Sequence, residues 1–141
     1  MGEKRKVSVL IPYCQSDGEV FVFLQKRDKD AKRLPDFFGF FGGGIESGES
    51  SEEAMKREAK EELNIDVSDY KYFNHYEFYG SILEVFTMLV DKNFSDTVKI
   101  LEGQYGKFFR ENDVINESKL SHNDKLVLHN FFGAIKRNSY H

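Results

Sequence analysis

The sequence contains little of what several protein classes require. It has a single cysteine, Cys14, which excludes an intrachain disulfide and is typical of a protein from a reducing compartment. No apolar run approaches the roughly 18 residues that a membrane span needs. The basic N-terminal segment 1–6 is followed by no apolar stretch of signal-peptide length. We therefore expect a cytoplasmic protein that does not associate with membranes.

Positive charge is also in short supply. Lysine and arginine number 20 against 24 aspartates and glutamates, for a net charge of −4, which predicts no general affinity for nucleic acid. Binding of an anionic substrate would require a bound cation or a basic loop to supply positive charge at the site. The 141 residues are enough for one hydrophobic core, and we expect a single domain over residues 1–141.

Alternating apolar and polar residues predict most of the secondary structure. Four runs are predicted as strands: 6–14 and 20–27, which form a hairpin, and 70–79 and 81–91, with Gly80 between them. Residues 37–50 hold five glycines, which we interpret as too flexible for an ordinary strand interior. Residues 91–106 are predicted as a polar loop, followed by a short strand at 107–109. The final segment, 123–137, is predicted as an amphipathic helix with Asn123 as a candidate N-cap. This order predicts an α/β sandwich with a mixed β-sheet.

The central helix is bounded by two capping signals. Ser50 is a favourable N-cap, and Glu53 three residues later completes a capping box. Asn64 tolerates the left-handed conformation that ends many helices. Met55, Ala59 and Leu63 recur at helical spacing between these signals and predict the stripe that faces the core, so the helix is predicted to pack by that stripe and end near Asn64.

The same helix crowds three carboxylates on one side. Glu58, Glu61 and Glu62 stand at positions i, i+3 and i+4, and like charges at these spacings cost roughly 0.2–0.5 kcal/mol per pair. Glu46 and Glu49 lie in the glycine-rich loop just before the helix. Clustered carboxylates are hard oxygen ligands that suit Mg²⁺, and glycines let the backbone approach the same ion. The pattern therefore favours a divalent metal site.

The spacing resembles a known family motif. Residues Gly43–Ile65 match the Nudix box, G-x5-E-x7-R-E-U-x-E-E-x-G-U with U apolar, at every fixed position except one. The exception is Asn64, which stands where the family has glycine and which the left-handed helix end accommodates. A pattern with so many fixed residues is far more specific than a glycine loop alone.

The resemblance implies a fold and a chemistry. Nudix proteins have an α/β/α sandwich and use Mg²⁺ or Mn²⁺ to hydrolyse a nucleoside diphosphate linked to another group. It implies that Glu58, Glu61 and Glu62, with the backbone at Gly43, are metal ligands. It also implies that Arg57 orients these glutamates and is paired with Glu49, and that the general base is Glu58 or Glu61.

A second stretch of the sequence reduces the range of expected substrates. LEGQYGKFF at residues 101–109 resembles a segment of MutT-type 8-oxo-dGTP diphosphatases, and this resemblance implies that Glu102 is a further metal ligand. It also implies that Asn123 and Arg27 contact the purine base, although Asn123 as helix cap and Arg27 as a solvated charge are the alternatives. Phe40, next to the glycine loop, is the best candidate to stack on the base.

Three functions stay open on these residues. The favoured one is metal-dependent hydrolysis of a purine nucleoside triphosphate, oxidised or not, to a nucleoside monophosphate and pyrophosphate. The same chemistry on a nucleotide sugar, ADP-ribose or a dinucleoside polyphosphate is the enzymatic alternative. A non-catalytic domain that binds a nucleotide is the alternative from another class, disfavoured because every glutamate of the box and its arginine are present. The expected partner is a small nucleotide, and a homodimer is compatible with the sequence.

Overall fold

The computed structural model describes residues 3–137 of the chain. Its elements follow in the order β1 (Arg5–Ser16), β2 (Glu19–Lys26), β3 (Phe38–Gly39), β4 (Phe41–Gly44), α1 (Ser51–Leu63), β5 (Tyr70–Phe78), β6 (Ser81–Leu89), α2 (Phe94–Thr97), β7 (Tyr105–Phe109), α3 (Glu111–Asn116) and α4 (His122–Lys136). None of the helices in this part of the chain is long and apolar enough to cross a membrane.

The strands form one mixed sheet organised around β1. The main order is β3-β2-β1-β6-β5, while β4 pairs with β1 and β7 pairs with β2. β1 runs parallel to β6 and antiparallel to β2 and β4. The predicted hairpin of β1 and β2 is confirmed, and the two strands predicted on either side of Gly80, β5 and β6, form a second hairpin.

Alternation along β1 creates the layers, because successive side chains of a strand point to opposite faces. Val7, Val9 and Ile11 belong to the core cluster that includes α4. Leu10, between them, packs with Met55 and Ala59 of α1 on the other face. The sheet therefore lies between α1 and α4, which confirms the predicted α/β/α sandwich.

The boundaries predicted for α1 are also confirmed. The Ser50 side chain accepts a hydrogen bond from the Glu53 backbone N–H, and the Glu53 carboxylate accepts one from Ser50 N–H. Asn64 ends the helix at φ 56° and ψ 40°, in the left-handed region. The Met55, Ala59 and Leu63 stripe is buried, each side chain 1% exposed or less.

The interpretation of the glycine-rich segment as too flexible for strands is wrong. Residues within 38–44 form β3 and β4, because pairing with β1 and β2 fixes a backbone that the sequence alone leaves free. Gly42 shows why glycine is needed: its φ is +140°, and a Cβ there would lie 2.2 Å from the Ser8 carbonyl oxygen. The glycines allow β4 to lie directly against β1.

Two other expectations are corrected at the C-terminal half. α4 begins at His122 and is capped by Ser121, whose hydroxyl accepts a hydrogen bond from Asp124 N–H, so Asn123 is not the N-cap. Ser121 takes the extended conformation that a cap requires. The region predicted as a loop contains the one-turn helix α2, β7 begins at Tyr105, and α3 lacks any signal that we recognised.

Candidate active site

α1 packs against β4 through its C-terminal half, and this contact positions the first carboxylate of the cluster. A Cβ at Gly43 would lie 2.6 Å from Glu58 Oε2, far inside van der Waals contact. The Glu58 carboxylate therefore lies directly over the backbone of β4, in space that any side chain at residue 43 would occupy. Glycine is required here for a close approach.

Arg57 connects the glycine-rich loop to the helix. Its Nε and Nη2 donate to Glu49 Oε2 and Oε1 at 2.7 and 3.0 Å, a bidentate pair, and Nη2 also donates to the Gly44 carbonyl at 3.0 Å. The hydrogen bonds from Arg57 lower the pKa of Glu49 to about 2, while those to Glu49 raise the pKa of Arg57. Both groups are charged at neutral pH, and the loop is held against α1 by a charge-assisted contact.

The same guanidinium reaches two of the crowded carboxylates. Arg57 Nη1 lies 3.5 Å from Glu58 Oε2 and 3.5 Å from Glu61 Oε1. Burial is the main cause that raises the pKa of Glu58, and the negative charge of Glu61 adds to it. Arg57 offsets this repulsion only in part, so the pair favours an additional positive charge nearby.

Glu62 is the most buried member of the cluster, 5% exposed. Its Oε1 accepts a hydrogen bond of 2.7 Å from the Gly42 backbone N–H. Burial nevertheless raises the pKa of Glu62 to about 8, with further contributions from the charges of Glu58 and Glu102. A carboxylate in this position is costly to ionise unless a cation compensates for the lost hydration.

Glu102 comes to the cluster on a loop that is anchored at three points. Leu101 N–H donates to the Glu62 carbonyl at 2.8 Å. Gly103 has φ +85°, and a Cβ there would lie 2.8 Å from the Lys26 carbonyl. The Gln104 amide donates to the Arg27 carbonyl at 2.7 Å. The EGQ segment therefore has a structural explanation: glycine and glutamine fix the loop that presents Glu102 near the end of α1.

The side chains gathered at this site are of the chemical type that binds a hard divalent cation. Glu58, Glu61, Glu62 and Glu102 offer carboxylate oxygens, and the raised pKa values of two of them show repulsion that a cation would relieve. Within residues 3–137, no three acidic, histidine or cysteine side chains are already gathered as a metal site. Mg²⁺ does not require a complete protein cage, because waters and substrate phosphates fill much of its coordination sphere.

A cavity of about 170 Å³ opens beside the glycines of β4. Phe40 lines it and is 6% exposed, so one side of this ring belongs to the core. Arg27 also lines it, and its Nε is buried without a hydrogen-bond partner. The lining residues are Arg5, Val7, Val9, Arg27, Arg33, Phe40, Gly42, Gly43, Ser81, Leu83 and Asp124.

The predicted base reader Asn123 is not among these residues. Asn123 is exposed in the first turn of α4, while its neighbour Asp124 lines the cavity. Burial raises the pKa of Asp124 to about 6, against the opposing effects of Arg27 and Ser121. The first turn of α4 therefore presents Asp124, and not Asn123, to the cavity.

Two further arginines line the cavity and were not predicted from the sequence. Arg5 shares a face of β1 with Val7 and Val9 by period-two alternation, a signal that was available in the sequence. Arg33 lies in the loop between β2 and β3, and no local pattern indicates its position. Both line the cavity together with Arg27.

Comparisons with known proteins identify the family to which the chain belongs. Residues 4–131 match the family model described as the NUDIX domain. The chain is 41% identical over 64 residues to the dihydroneopterin triphosphate diphosphatase of Escherichia coli K12, covering 45% of this chain and 39% of that protein. It is 41% identical over 59 residues to the nucleoside triphosphatase NudI of Escherichia coli O139:H28, covering 42% and 40%. The matches thus span about two fifths of these curated relatives.

A solved structure extends the likeness over nearly the whole chain. A structure from a study of MutT of Aliivibrio salmonicida and Vibrio cholerae superposes with a TM-score of 0.69 at 28% identity, covering 90% of this chain and 96% of that one. The Nudix box predicted at Gly43–Ile65 lies inside the residues that the family model matches. This chain belongs to the Nudix family.

Proposed function

We propose that the chain is a Mg²⁺- or Mn²⁺-dependent pyrophosphohydrolase of nucleoside triphosphates. The observation that carries the proposal is the crowding of Glu58, Glu61 and Glu62 with Glu102 beside Arg57. Three of these carboxylates come from one helix face, and the fourth is brought by an anchored loop. Carboxylates assembled at such a cost need a cation, and the cavity next to them has room for part of a nucleotide.

The residues of the Nudix box have separate roles in the proposed hydrolysis. A divalent ion, if held there, would neutralise phosphate oxygens and lower the pKa of an attacking water. Glu58, Glu61, Glu62 and Glu102, with the backbone at Gly43, would hold it. Glu58 or Glu61 accepts the proton of that water, a role for which the raised pKa of Glu58 is suited. Arg57, fixed by Glu49 and the Gly44 carbonyl, keeps both glutamates near the attack position.

The cavity suits a purine nucleobase. The ring of Phe40 offers an apolar surface. Arg27 supplies hydrogen-bond donors and the Asp124 carboxylate supplies acceptors, a combination that matches the oxo and amino groups of guanine. The names of three relatives mention a triphosphate or MutT, which supports a triphosphate giving a nucleoside monophosphate and pyrophosphate. Asn123 stays a candidate for contact at the rim.

A pterin triphosphate is a second candidate. One relative is named a dihydroneopterin triphosphate diphosphatase, and the amino-oxo edge of a pterin ring presents the same donors and acceptors as guanine. Arg27 and Asp124 would serve either ring. Nucleotide sugars, ADP-ribose and dinucleoside polyphosphates remain the alternatives with a different leaving group.

The test is hydrolysis of a mixed panel with Mg²⁺ or Mn²⁺, resolved by mass spectrometry. The panel contains dGTP, 8-oxo-dGTP, dihydroneopterin triphosphate, ADP-ribose, a nucleotide sugar and a dinucleoside tetraphosphate, with the Glu61→Gln variant beside the native chain. We expect a purine or pterin triphosphate to be cleaved fastest, giving monophosphate and pyrophosphate. Binding of nucleotides without any turnover would replace the enzyme with a non-catalytic binding domain.

The contribution of Asp124 is tested by the pH dependence of KM. Its pKa is about 6, so the carboxylate that accepts hydrogen bonds from the base is ionised above that pH and protonated below it. We expect KM for the preferred substrate to rise as pH falls from 7.5 to 5.5, and this rise to vanish in Asp124→Asn. An identical pH profile in both proteins would remove Asp124 from the base site.

A further inference from the structure

Three arginines converge on the cavity without carboxylate partners. Arg5, Arg27 and Arg33 come from β1, the end of β2 and the following loop, and all three line the same cavity. Within residues 3–137, their guanidinium groups make neither an ion pair nor a side-chain hydrogen bond. The Nε of Arg27 is also buried without a hydrogen-bond partner. Elsewhere, Arg57 and Arg110 pair with carboxylates of their own surroundings. Within the described residues, no carboxylate therefore contacts these three guanidinium groups directly, although carboxylates of α1 act on Arg5 and Arg27 at longer range.

The charge of the lining residues is unbalanced. Asp124 is the carboxylate among them, so one negative charge faces three positive ones. Burial is the largest cause that lowers the pKa of Arg5, and repulsion by Arg33 and Arg27 adds to it, against an opposing effect of Glu58. Repulsion of this kind is costly and is relieved by an anion.

A neutral base does not account for this excess. The proposed function assigns the base to Phe40, Arg27 and Asp124, which already supply a ring contact, donors and acceptors. Arg5 and Arg33 add two further charges from separate elements. Guanidinium groups recognise phosphate and carboxylate oxygens through paired hydrogen bonds, and they do so better than lysine does.

We propose that Arg5 and Arg33, assisted by the guanidinium group of Arg27, form a subsite for an oxyanion in addition to the two phosphates of the scissile linkage. The substrate then carries a further phosphate or carboxylate, placed on the sugar, on the base or at the end of the phosphate chain. This inference rests on the proposed function for the place of the linkage, at the carboxylates of α1. The subsite itself requires no turnover.

The test is calorimetric titration in EDTA, so that binding is measured without metal-dependent hydrolysis. GDP is the reference ligand. Three probes each add one anionic group: GTP at the end of the phosphate chain, guanosine 3′-phosphate 5′-diphosphate on the sugar, and N2-carboxymethyl-GDP on the base. We expect the native chain to bind one probe about tenfold more tightly than GDP, as hydrogen bonds to charged groups allow.

The variants separate the subsite from general electrostatics. The double variant Arg5→Gln/Arg33→Gln is expected to bring the ratio of the two affinities to about one and to leave GDP binding within a factor of two or so. Arg137→Gln removes one positive charge at the far end of α4, about 20 Å from Asp124 at 1.5 Å per residue, and is expected to leave the ratio unchanged. Thermal melting checks that each variant is folded.

The outcomes are distinct from those of the hydrolysis panel. A native chain that binds all probes as it binds GDP, or a ratio that survives in the double variant, overturns the subsite even if triphosphates are hydrolysed. A ratio that depends on Arg5 and Arg33 supports the subsite even if the panel gives no turnover, in which case the proposed hydrolysis alone fails. The probe that gains affinity identifies where the additional anion is placed.

Discussion

The two ends of the candidate site differ in sign and in origin. The acidic end, Glu58, Glu61, Glu62 and Glu102, takes three of its four carboxylates from one helix face and is tied together by Arg57 and backbone N–H groups. The basic end, Arg5, Arg27 and Arg33 beside Asp124, draws its charges from separate segments and leaves the arginines unpaired within the described chain. Each end holds a charge that a ligand of opposite sign would compensate.

This contrast separates two ways of building electrostatic strain. At the acidic end, strain is created by spacing along a helix and is moderated by an internal partner, Arg57. At the basic end, strain arises because distant segments meet in the folded chain, and burial of one arginine Nε prevents solvent from compensating it. A cation is expected at the first and an anion at the second. The predictions below test the acidic end, its supports and the start of α4, from the largest expected effect to the smallest.

The largest effect is expected from Glu61→Gln. It keeps the shape of the side chain and removes a charge from the cluster, so we expect kcat to fall by about a hundredfold or more while the melting temperature without metal is unchanged or higher. Glu52→Gln is the matched control, because Glu52 is on the same helix and contacts Tyr70 instead of the cluster. Near-native turnover in Glu61→Gln would exclude Glu61 as a ligand or base.

Gly43→Ala tests the close approach of Glu58 to β4. The new methyl group would stand 2.6 Å from Glu58 Oε2, so the carboxylate must move, and we expect the affinity for Mg²⁺ to fall by about tenfold or more. Gly44→Ala is the control on the same strand, since its Cβ would meet Arg5 Nη2 at an ordinary 3.9 Å. Metal titration followed by activity distinguishes the two. Equal losses in both variants would indicate a general perturbation of β4.

Glu49→Gln tests how the glycine-rich loop is held. Hydrogen bonds from Arg57 lower the pKa of Glu49 from 4.5 to about 2. Because the folded pKa is depressed, the ionised pair stabilises the fold fully above about pH 4.5, and this contribution is lost as the pH falls to 2. We expect the free energy of unfolding to differ between native chain and variant at pH 6, and the gap to narrow towards pH 2.5. Urea unfolding at several pH values measures it; a constant gap would contradict the assignment.

The smallest effect concerns the start of α4. Ser121→Ala removes the hydroxyl that caps the helix and should cost about 1 kcal/mol of stability. Asn123→Ala, two residues later on an exposed side chain, should change stability by less than about 0.5 kcal/mol. Urea unfolding of both variants decides which residue is the cap. A larger loss in Asn123→Ala would restore Asn123 to that role and shift the helix start.

The sequence predicted what depends on local spacing. The capping box of α1, its left-handed end at Asn64, the first hairpin and the two strands beside Gly80 follow from interactions within a few residues or from period-two patterning, whereas the α/β/α arrangement was expected from the Nudix resemblance. The resemblance to the Nudix box predicted three of the four carboxylates of the acidic end, since these three lie within Gly43–Ile65. The pairing of Arg57 with Glu49, eight residues apart, was also expected and is present in the fold.

Tertiary structure decided the rest. The glycines of β4 form strands because β1 supplies their hydrogen-bond partners, and no local pattern contains that information. Asp124, in place of Asn123, lines the cavity because the packing of α4 against the sheet decides which side of its first turn faces inward. Arg5 and Arg33 meet Arg27 through the order of strands around β1. The sequence by itself determined the helix that carries the carboxylates, because its capping and spacing depend on residues close together in the chain. The basic cavity forms only in the folded chain, because its arginines come from separate strands and a loop.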